Sequence, residues 1–185
     1  MKLRLLTISA SLILLLACNP DKDRKVDDMQ AKFTTSDASE LFFRNMRQSN
    51  YDKETMDEAK LDIYRMDDRS LAEDKPVLNL AIVINWRYDE AYILTEPNDY
   101  LQQLDTLKIY WQDTVQHQQG FYQYLPGDKD THFQFASQLY NSLQGQHQLY
   151  VMPPSGEKVP MLSRRNERET FRRTMMDYYR LVDLY

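Results

Sequence analysis

The ten residues from Val77 to Trp86, Val-Leu-Asn-Leu-Ala-Ile-Val-Ile-Asn-Trp, decide the fold of this chain. Successive side chains of a β-strand point to opposite faces of the sheet. One face carries Leu78, Leu80, Ile82, Ile84 and Trp86, and the other carries Val77, Asn79, Ala81, Val83 and Asn85. Most of both faces is apolar, which is typical of a strand covered on both sides. The sequence therefore predicts a central strand here.

Other segments have the pattern of shorter strands. Residues 60–66 alternate before the central strand, and residues 91–95 return after it as the second arm of a hairpin. Further along, Leu107, Ile109 and Trp111 alternate with Lys108, Tyr110 and Gln112, which predicts a half-buried strand. A turn at Gln119-Gly120 is predicted to lead into a strand over 121–125, and a last strand is predicted over 147–152.

Three segments have helical spacing. Ser36 or Asp37 is expected to cap a helix over about 37–48, with Glu40 completing a capping box. A second helix is predicted over about 131–143, and a third runs from a cap at Ser163 to the end of the chain. With short connections and no alternating βαβ order, this sequence predicts an α+β fold. We expect one globular domain over 33–185, with one mostly antiparallel sheet of about five to six strands and three helices packed against it.

Composition excludes some classes of function. The net charge is −5, so the chain gains nothing from the phosphate attraction that drives non-specific nucleic-acid binding. With 4 glycines, it has little material for loops that cradle phosphate groups, and the sequence predicts no cofactor. Cys18 is the single cysteine, so no disulfide can form within the molecule.

The first 17 residues have the composition of a signal peptide. Lys2 and Arg4 precede an apolar run from Leu5 to Ala17, which spans about 20 Å as a helix, short of the ~30 Å of a bilayer's hydrocarbon core. The run ends in Leu15-Leu16-Ala17-Cys18, which resembles the lipobox of bacterial lipoproteins. That resemblance implies cleavage before Cys18, lipid on its sulfur and usually a further acyl chain on its new amine, which together anchor a protein durably to a membrane.

The resemblance also bears on location. Aspartate after the lipidated cysteine favours inner-membrane retention in many lipoproteins, and here the residue is Asn19. The outer membrane is therefore expected, with the periplasmic and surface faces both open. Cleavage removes Lys2 and Arg4 and changes the charge to about −7. After Cys18, residues 19–32 are charged and lack aromatic side chains, which predicts a flexible tether.

Candidate catalytic groups are few. Asp128, Asp130 and His132 alternate just before the second predicted helix and could present oxygens and an imidazole to a metal ion. Asp and Thr before a helix are also what capping requires, and the sequence favours that interpretation. A metal site or a hydrolase site at this loop remains the alternative.

Arginines crowd the start of the last predicted helix. Arg165, Arg168 and Arg172 share one face there, although positive charge at a helix N-terminus opposes the helix dipole. Pairing with Glu167 and Glu169 on a solvated face is the simplest explanation. Contact with anionic lipid head groups or with a carboxylate of a partner protein is the alternative.

The abundant aromatic residues are compatible with sugar or peptide binding on a sheet face, although sheet cores use the same residues more often. Examples are Tyr88, Tyr92, Tyr110, Trp111, Tyr122 and Tyr124. We expect a lipid-anchored binding or accessory module of the cell envelope, with the membrane and an envelope protein as partners. The rivals are an envelope hydrolase and a structural subunit that docks through the arginine face.

Overall fold

The structure is a computed structural model, and it describes residues 24–104 and 106–185. In this part of the chain there are eight strands and four α-helices. The strands are β1 (Tyr51–Met56), β2 (Leu61–Met66), β3 (Leu78–Asn85), β4 (Glu90–Pro97), β5 (Lys108–Asp113), β6 (Gln118–Gln123), β7 (Gln148–Val151) and β8 (Val159–Met161). The helices are α1 (Asp37–Met46), α2 (Asp99–Gln102), α3 (Lys129–Gln144) and α4 (Arg165–Leu181), and a 3₁₀ turn, Gln48–Asn50, follows α1.

The predicted central strand forms the middle of the first sheet. Strands β1, β2, β3 and β4 lie in that order, each antiparallel to its neighbour. Within β3, Ile82 lies opposite Tyr64 of β2 and Ile93 of β4, and it is fully buried. The inner face of this sheet packs against α1 and α4. On its outer face, Ile63, Ala81 and Val83 form a second, smaller apolar cluster.

The remaining strands form a second antiparallel sheet in the order β6-β5-β7-β8. The predicted α+β class with antiparallel strands and packed helices is confirmed, and the strands divide into two sheets of four. Between the two sheets, just after β4, Asn98 caps α2 and accepts a hydrogen bond from the Val77 backbone N–H at 3.2 Å. The chain turns there, so β5 pairs with β6 and β7 instead of β4. Helix α3 contacts both β4 and β6 and joins the two sheets.

Three local differences from the sequence predictions have an identifiable physical reason or partner. The turn between β5 and β6 lies at residues 114–117, not at Gln119-Gly120, because Gly120 pairs with Trp111 inside the sheet. Ser36 caps α1 as predicted, with Ser39 in place of Glu40 as its reciprocal partner. Helix α4 begins after Arg164, and Ser163 is not its cap.

Residues 24–35 lie along the surface of the domain, and we call them the N-terminal strap. The Asn141 side chain of α3 bonds both backbone groups of Val26, at 3.0 and 2.8 Å. The Gln144 amide donates to the Arg24 carbonyl at 2.9 Å, and the Tyr178 hydroxyl donates to the Lys32 carbonyl at 2.8 Å. Residues 24–32 were predicted to belong to the flexible tether. They are instead fixed to the body by side chains that satisfy their backbone groups.

The predicted signal peptide (residues 1–17), Cys18 and the start of the predicted tether lie outside the described residues. Among the helices of 24–104 and 106–185, none combines the length and the apolar content needed to cross a membrane.

Candidate functional site

The outer face of the second sheet carries two rows of side chains, which we call the aromatic–glutamine surface. Phe121 of β6 lies opposite Tyr110 of β5, and Tyr110 lies opposite Tyr150 of β7. Two residues along each strand, on the same side of the sheet and nearer the β5–β6 turn, the facing residues are Gln119, Gln112 and Gln148. A row of three aromatic rings therefore runs beside a row of three carboxamides.

The three rings contact one another across the strands. The centroids of Tyr110 and Tyr150 are 5.4 Å apart with nearly parallel planes, and those of Tyr110 and Phe121 are 5.8 Å apart. A lysine covers each end of the row. The Lys158 ammonium lies 4.5 Å from the Tyr150 centroid, and the Lys108 ammonium lies 5.1 Å from the Phe121 centroid. Tyr110 and Tyr150 thus stack face to face, Phe121 is tilted by 50° against Tyr110, and the outermost rings are each covered on one side by a lysine.

The side chains of the row differ in exposure. Phe121 is 51% exposed, Tyr110 is half-buried and Tyr150 retains 9% of its surface. In the second row, Gln119 and Gln148 are exposed and Gln112 is half-buried. The open side of this sheet is thus a row of amides beside a row of aromatic rings whose exposure rises from Tyr150 to Phe121.

The inner face of the same sheet explains why these side chains point outward. Trp111 packs inward and stacks on Tyr122 and on His147, with centroid distances of 6.3 and 4.9 Å. Gly120 lies opposite Trp111, and a Cβ at that position would come within 2.9 Å of the indole nitrogen. Because strand residues alternate, anchoring Trp111 inside directs Tyr110 and Gln112 to the outside.

A groove adjoins the aromatic–glutamine surface between β7, β8 and the start of α4. It encloses about 400 Å³, and its lining includes Gln112, Gln148, Tyr150, Lys158, Ser163 and Arg168. Together, the aromatic–glutamine surface and the groove run from β6, at the edge of the sheet, to the arginine-rich start of α4.

The predicted site at residues 128–132 does not form a cluster. The Asp128 carboxylate caps α3, accepting from the Thr131 backbone N–H at 3.1 Å and from its hydroxyl at 3.2 Å. These hydrogen bonds lower the pKa of Asp128. Asp130 is exposed in the first turn of the helix. Asp128 therefore has the capping role that the sequence favoured.

His132 is directed away from those carboxylates, toward the first sheet. Its Nδ1 accepts a hydrogen bond from the Thr95 backbone N–H at 3.1 Å and lies 2.8 Å from the Thr95 hydroxyl. Burial lowers the pKa of His132, with a smaller opposing effect from Asp128. An Nδ1 that accepts an N–H is unprotonated, so this imidazole joins α3 to β4 in its neutral form.

Arg165, Arg168 and Arg172 share one side of α4 as predicted, and all three line a shallow groove there. Arg172 pairs with Glu169 at 2.9 Å. Arg168 donates to the His147 and Leu162 carbonyls at 3.1 and 3.4 Å, and burial lowers its pKa. Arg165 is exposed. This face combines a local ion pair with backbone contacts that hold α4 to the start of β7.

Of the six aromatic residues noted in the sequence, Tyr92 packs against the smaller apolar cluster and Tyr88 is exposed. Trp111, Tyr122 and Tyr124 pack against the main apolar cluster, whereas Tyr110 lies on the outer face of the second sheet. The three glutamines were missed, because an amide carries no catalytic or metal-binding signature. The signal was present in the alternation Lys108, Tyr110, Gln112, which puts like residues on one side of the strand.

Across 24–104 and 106–185, no three His, Cys, Asp or Glu side chains are placed so that they could hold a metal ion. No protein-family model, no curated protein and no solved structure matches this chain. The surface itself therefore has to carry the functional argument.

Proposed function

We propose that this chain is a lipid-anchored binding module of the bacterial cell envelope and that the aromatic–glutamine surface binds an acidic glycan. The observation that carries the proposal is the pair of parallel rows on one open sheet face, with a lysine at each end of the aromatic row. Attachment of lipid to Cys18 and residence in the outer membrane belong to the same proposal.

The glutamine row suits a polyhydroxyl ligand. Each carboxamide offers two donors on its nitrogen and one acceptor oxygen. Sugar hydroxyl groups also donate and accept, so Gln112, Gln119 and Gln148 can each bind a hydroxyl in either sense. The row thus favours ligands that both donate and accept hydrogen bonds, and it does not favour one sign of charge.

The spacing of the amides favours a glycan over an extended peptide. Neighbouring strands lie about 4.8 Å apart, so the amides repeat at that distance across the sheet. Side chains on one side of an extended peptide repeat every second residue, at about 6.7 Å. The side chains of a peptide lying across the strands would therefore not align with successive amides of the row. A sugar chain carries hydroxyl groups around every ring and can bind at each strand.

The charges favour an acidic chain. The protein as a whole is negative, at −5, but Lys108 and Lys158 lie at the two ends of the aromatic row. Both ammonium groups are on flexible stems and can leave the ring faces to meet a carboxylate. Positive charge retained at both ends of one surface, on an acidic protein, is complementary to a chain of uronic acids.

The test is titration of the full mature protein with a polyuronate oligosaccharide and, separately, with a neutral dextran of the same length. We expect saturable binding of the polyuronate. Phe121→Ala and Lys158→Gln should each weaken it about tenfold, since each removes a contact worth about 1.4 kcal/mol. The matched control is Lys60→Gln, which removes the same kind of contact, 4.9 Å from the Trp86 ring, on the other sheet.

Equal binding of dextran and polyuronate would contradict the part of the proposal that concerns acidity. Polyuronate binding that Lys60→Gln weakens as much as Lys158→Gln would contradict the assignment of the surface. Lipidation is checked independently by mass spectrometry of the N-terminal peptide and by sensitivity of processing to globomycin.

A further inference from the structure

We propose that the end of the domain formed by the start of the N-terminal strap and the arginines of α4 faces the membrane and binds anionic lipid head groups. The proposal rests on the lipidation of Cys18 put forward above. It adds an orientation of the body and a second binding surface, the arginine groove of α4, which meets the groove beside the aromatic–glutamine surface at Ser163 and Arg168.

The strap shows where the anchored end of the chain leaves the body. It runs antiparallel to α3, from Arg24 beside Gln144 to Met29 beside Gln134. At Arg24 the guanidinium carbon lies 4.0 Å from the centroid of the Tyr185 ring. The chain from the anchor therefore reaches the body at the C-terminal end of α3.

The length of chain between the anchor and this point is short. Five residues, 19–23, separate Cys18 from Arg24. Fully extended, that stretch reaches about 20 Å, whereas a free tether up to Phe33 would reach about 50 Å. Fixing residues 24–32 to α3 thus removes more than half of the available reach. The C-terminal end of α3 is held near the lipid surface.

The arginine groove of α4 lies at this same end of α3. Leu143 lines that groove together with Arg165, Arg168 and Arg172, and the next residue, Gln144, holds Arg24. His147 links the two groups. Arg168 donates a hydrogen bond to the His147 carbonyl at 3.1 Å, three positions after Gln144. Burial is the main cause of the lowered pKa of His147; the charge of Asp113 opposes that lowering, and Lys25 and Arg168 add to it.

The charges at this end are mostly positive. The exposed cations are Arg24, Lys25, Arg164 and Arg165, and Arg168 and Arg172 lie half-buried beside them. Facing these groups are Glu169, which pairs with Arg172, and Asp113, whose carboxylate lies 3.7 Å from His147. Glu167 also faces them, and it accepts from the Arg164 backbone N–H at 3.3 Å and pairs with Lys75. Asp27 and Asp28 follow further along the strap. On a protein of net charge −5, such an excess of arginine and lysine complements anionic lipids, which attract basic residues close to the surface.

The test measures which end of the lipidated protein lies against a vesicle. With Cys18 acylated, a cysteine introduced elsewhere is the single reactive thiol. Ser163→Cys places a fluorophore beside the arginine groove, and Tyr88→Cys places one in the turn before β4, where the far end of the strap bonds Asp89 at 2.8 Å. In vesicles of phosphatidylcholine with about a third phosphatidylglycerol, a head-group quencher should reduce emission at position 163 several-fold more than at position 88.

A charge variant separates orientation from lipid binding. Arg164→Glu with Arg165→Glu should reduce the quenching at position 163 in the anionic vesicles and leave it unchanged in pure phosphatidylcholine. Arg87→Glu, an exposed cation beside Tyr88, is the matched control and should change neither.

Each outcome bears on one proposal. Equal quenching at positions 163 and 88 in protein shown by mass spectrometry to be acylated would overturn the orientation and leave lipidation intact. The same quenching with and without anionic lipid would overturn head-group binding. A protein without acyl chains would overturn both the anchor and this inference, while polyuronate binding would stand or fall separately.

Discussion

Arg47 donates a hydrogen bond from Nε to the buried carboxylate of Asp177 at 2.7 Å, across 130 positions of sequence. The Tyr51 hydroxyl donates to the other oxygen of the same carboxylate at 2.8 Å. Burial, and then the negative charge of Asp177, raise the pKa of the Tyr51 phenol. Arg47 follows α1, Tyr51 is the first residue of β1 and Asp177 lies in α4. This carboxylate therefore joins α1, β1 and α4.

Removing Arg47 should therefore cost far more than removing an arginine whose partner carboxylate is exposed. Arg47→Met leaves the Asp177 carboxylate, whose side chain is 1% exposed, without its cation. We expect a loss of about 3 kcal/mol in the free energy of unfolding, measured with urea. Arg69→Met is the control, since its partner Asp52 is 65% exposed, and it should cost less than about 1 kcal/mol. Equal losses would show that Asp177 does not depend on Arg47.

Stability should fall as the pH is lowered from 7 toward 5. Burial holds the pKa of His132 below its ordinary value of 6.5, so the unfolded chain takes up a proton more readily than the folded protein. The stabilisation is complete above the unfolded pKa and is lost as the pH falls through it toward the folded pKa. His132→Gln should reduce the dependence of the urea midpoint on pH.

Because His147 also has a lowered pKa, the His132 variant should keep part of this dependence. His117→Gln, in the exposed turn between β5 and β6, is the control for the loss of an imidazole. Stability of the native protein that rises between pH 7 and 5 would contradict the burial of these two histidines in neutral form.

Substituting Gly120 should disturb the packing of Trp111. In Gly120→Ala the new Cβ would meet three indole atoms at 2.9 to 3.0 Å, which forces the ring to move. We expect a loss of about 1–3 kcal/mol and a change in tryptophan fluorescence of the folded protein. Gln118→Ala on the same strand should change neither. Unchanged fluorescence in Gly120→Ala would mean that the indole does not lie over this position.

Release of the strap should be visible by hydrogen exchange. Asn141→Leu removes both hydrogen bonds to the Val26 backbone and should expose that amide, with a loss of about 1–3 kcal/mol. We expect faster exchange at residues 24–29 and unchanged exchange in β3. Asn166→Leu, an exposed asparagine near the start of α4, is the matched control. Slow exchange of the strap in Asn141→Leu would show that this side chain does not hold it.

Asp128 should behave as a helix cap and not as a metal ligand. Asp128→Ala removes the hydrogen bonds to Thr131 and should lower the free energy of unfolding, whereas Asp130→Ala should lower it less. Added zinc or calcium should leave the melting temperature of the native protein unchanged. A rise in melting temperature that Asp128→Ala abolishes would favour the metal site that the sequence left open.

Local sequence patterns were sufficient to predict the elements whose side chains form the core. Both faces of β3 are apolar, so its central position was predictable, and the stripe of Phe133, Ala136 and Tyr140 identified α3. Strand β1 was missed because the charged run Asp52, Lys53, Glu54 faces solvent. It is a strand because it pairs with β2, and charge on an edge strand opposes unwanted pairing with other chains.

Contacts between distant parts of the chain were not predictable in the same way. The strap has the composition of a linker, and it is held by Asn141 and Gln144, more than 100 positions away. The two rows of the aromatic–glutamine surface come from three strands, so they are assembled only by the register of the sheet. Alternation within β5 shows which side of one strand is polar, but not which residues it meets.

The strap can dock on the body only after the last part of the chain is available. Its partners Asn141, Tyr178 and Asp183 lie 115, 146 and 151 positions after the residues they bond. In a chain exported N-terminus first, those partners arrive last, so the segment after Cys18 stays undocked while the rest of the protein is still crossing the membrane. Under the lipidation proposed above, the processing enzymes would thus act on Cys18 before the strap docks, since docking requires the final residues to have folded.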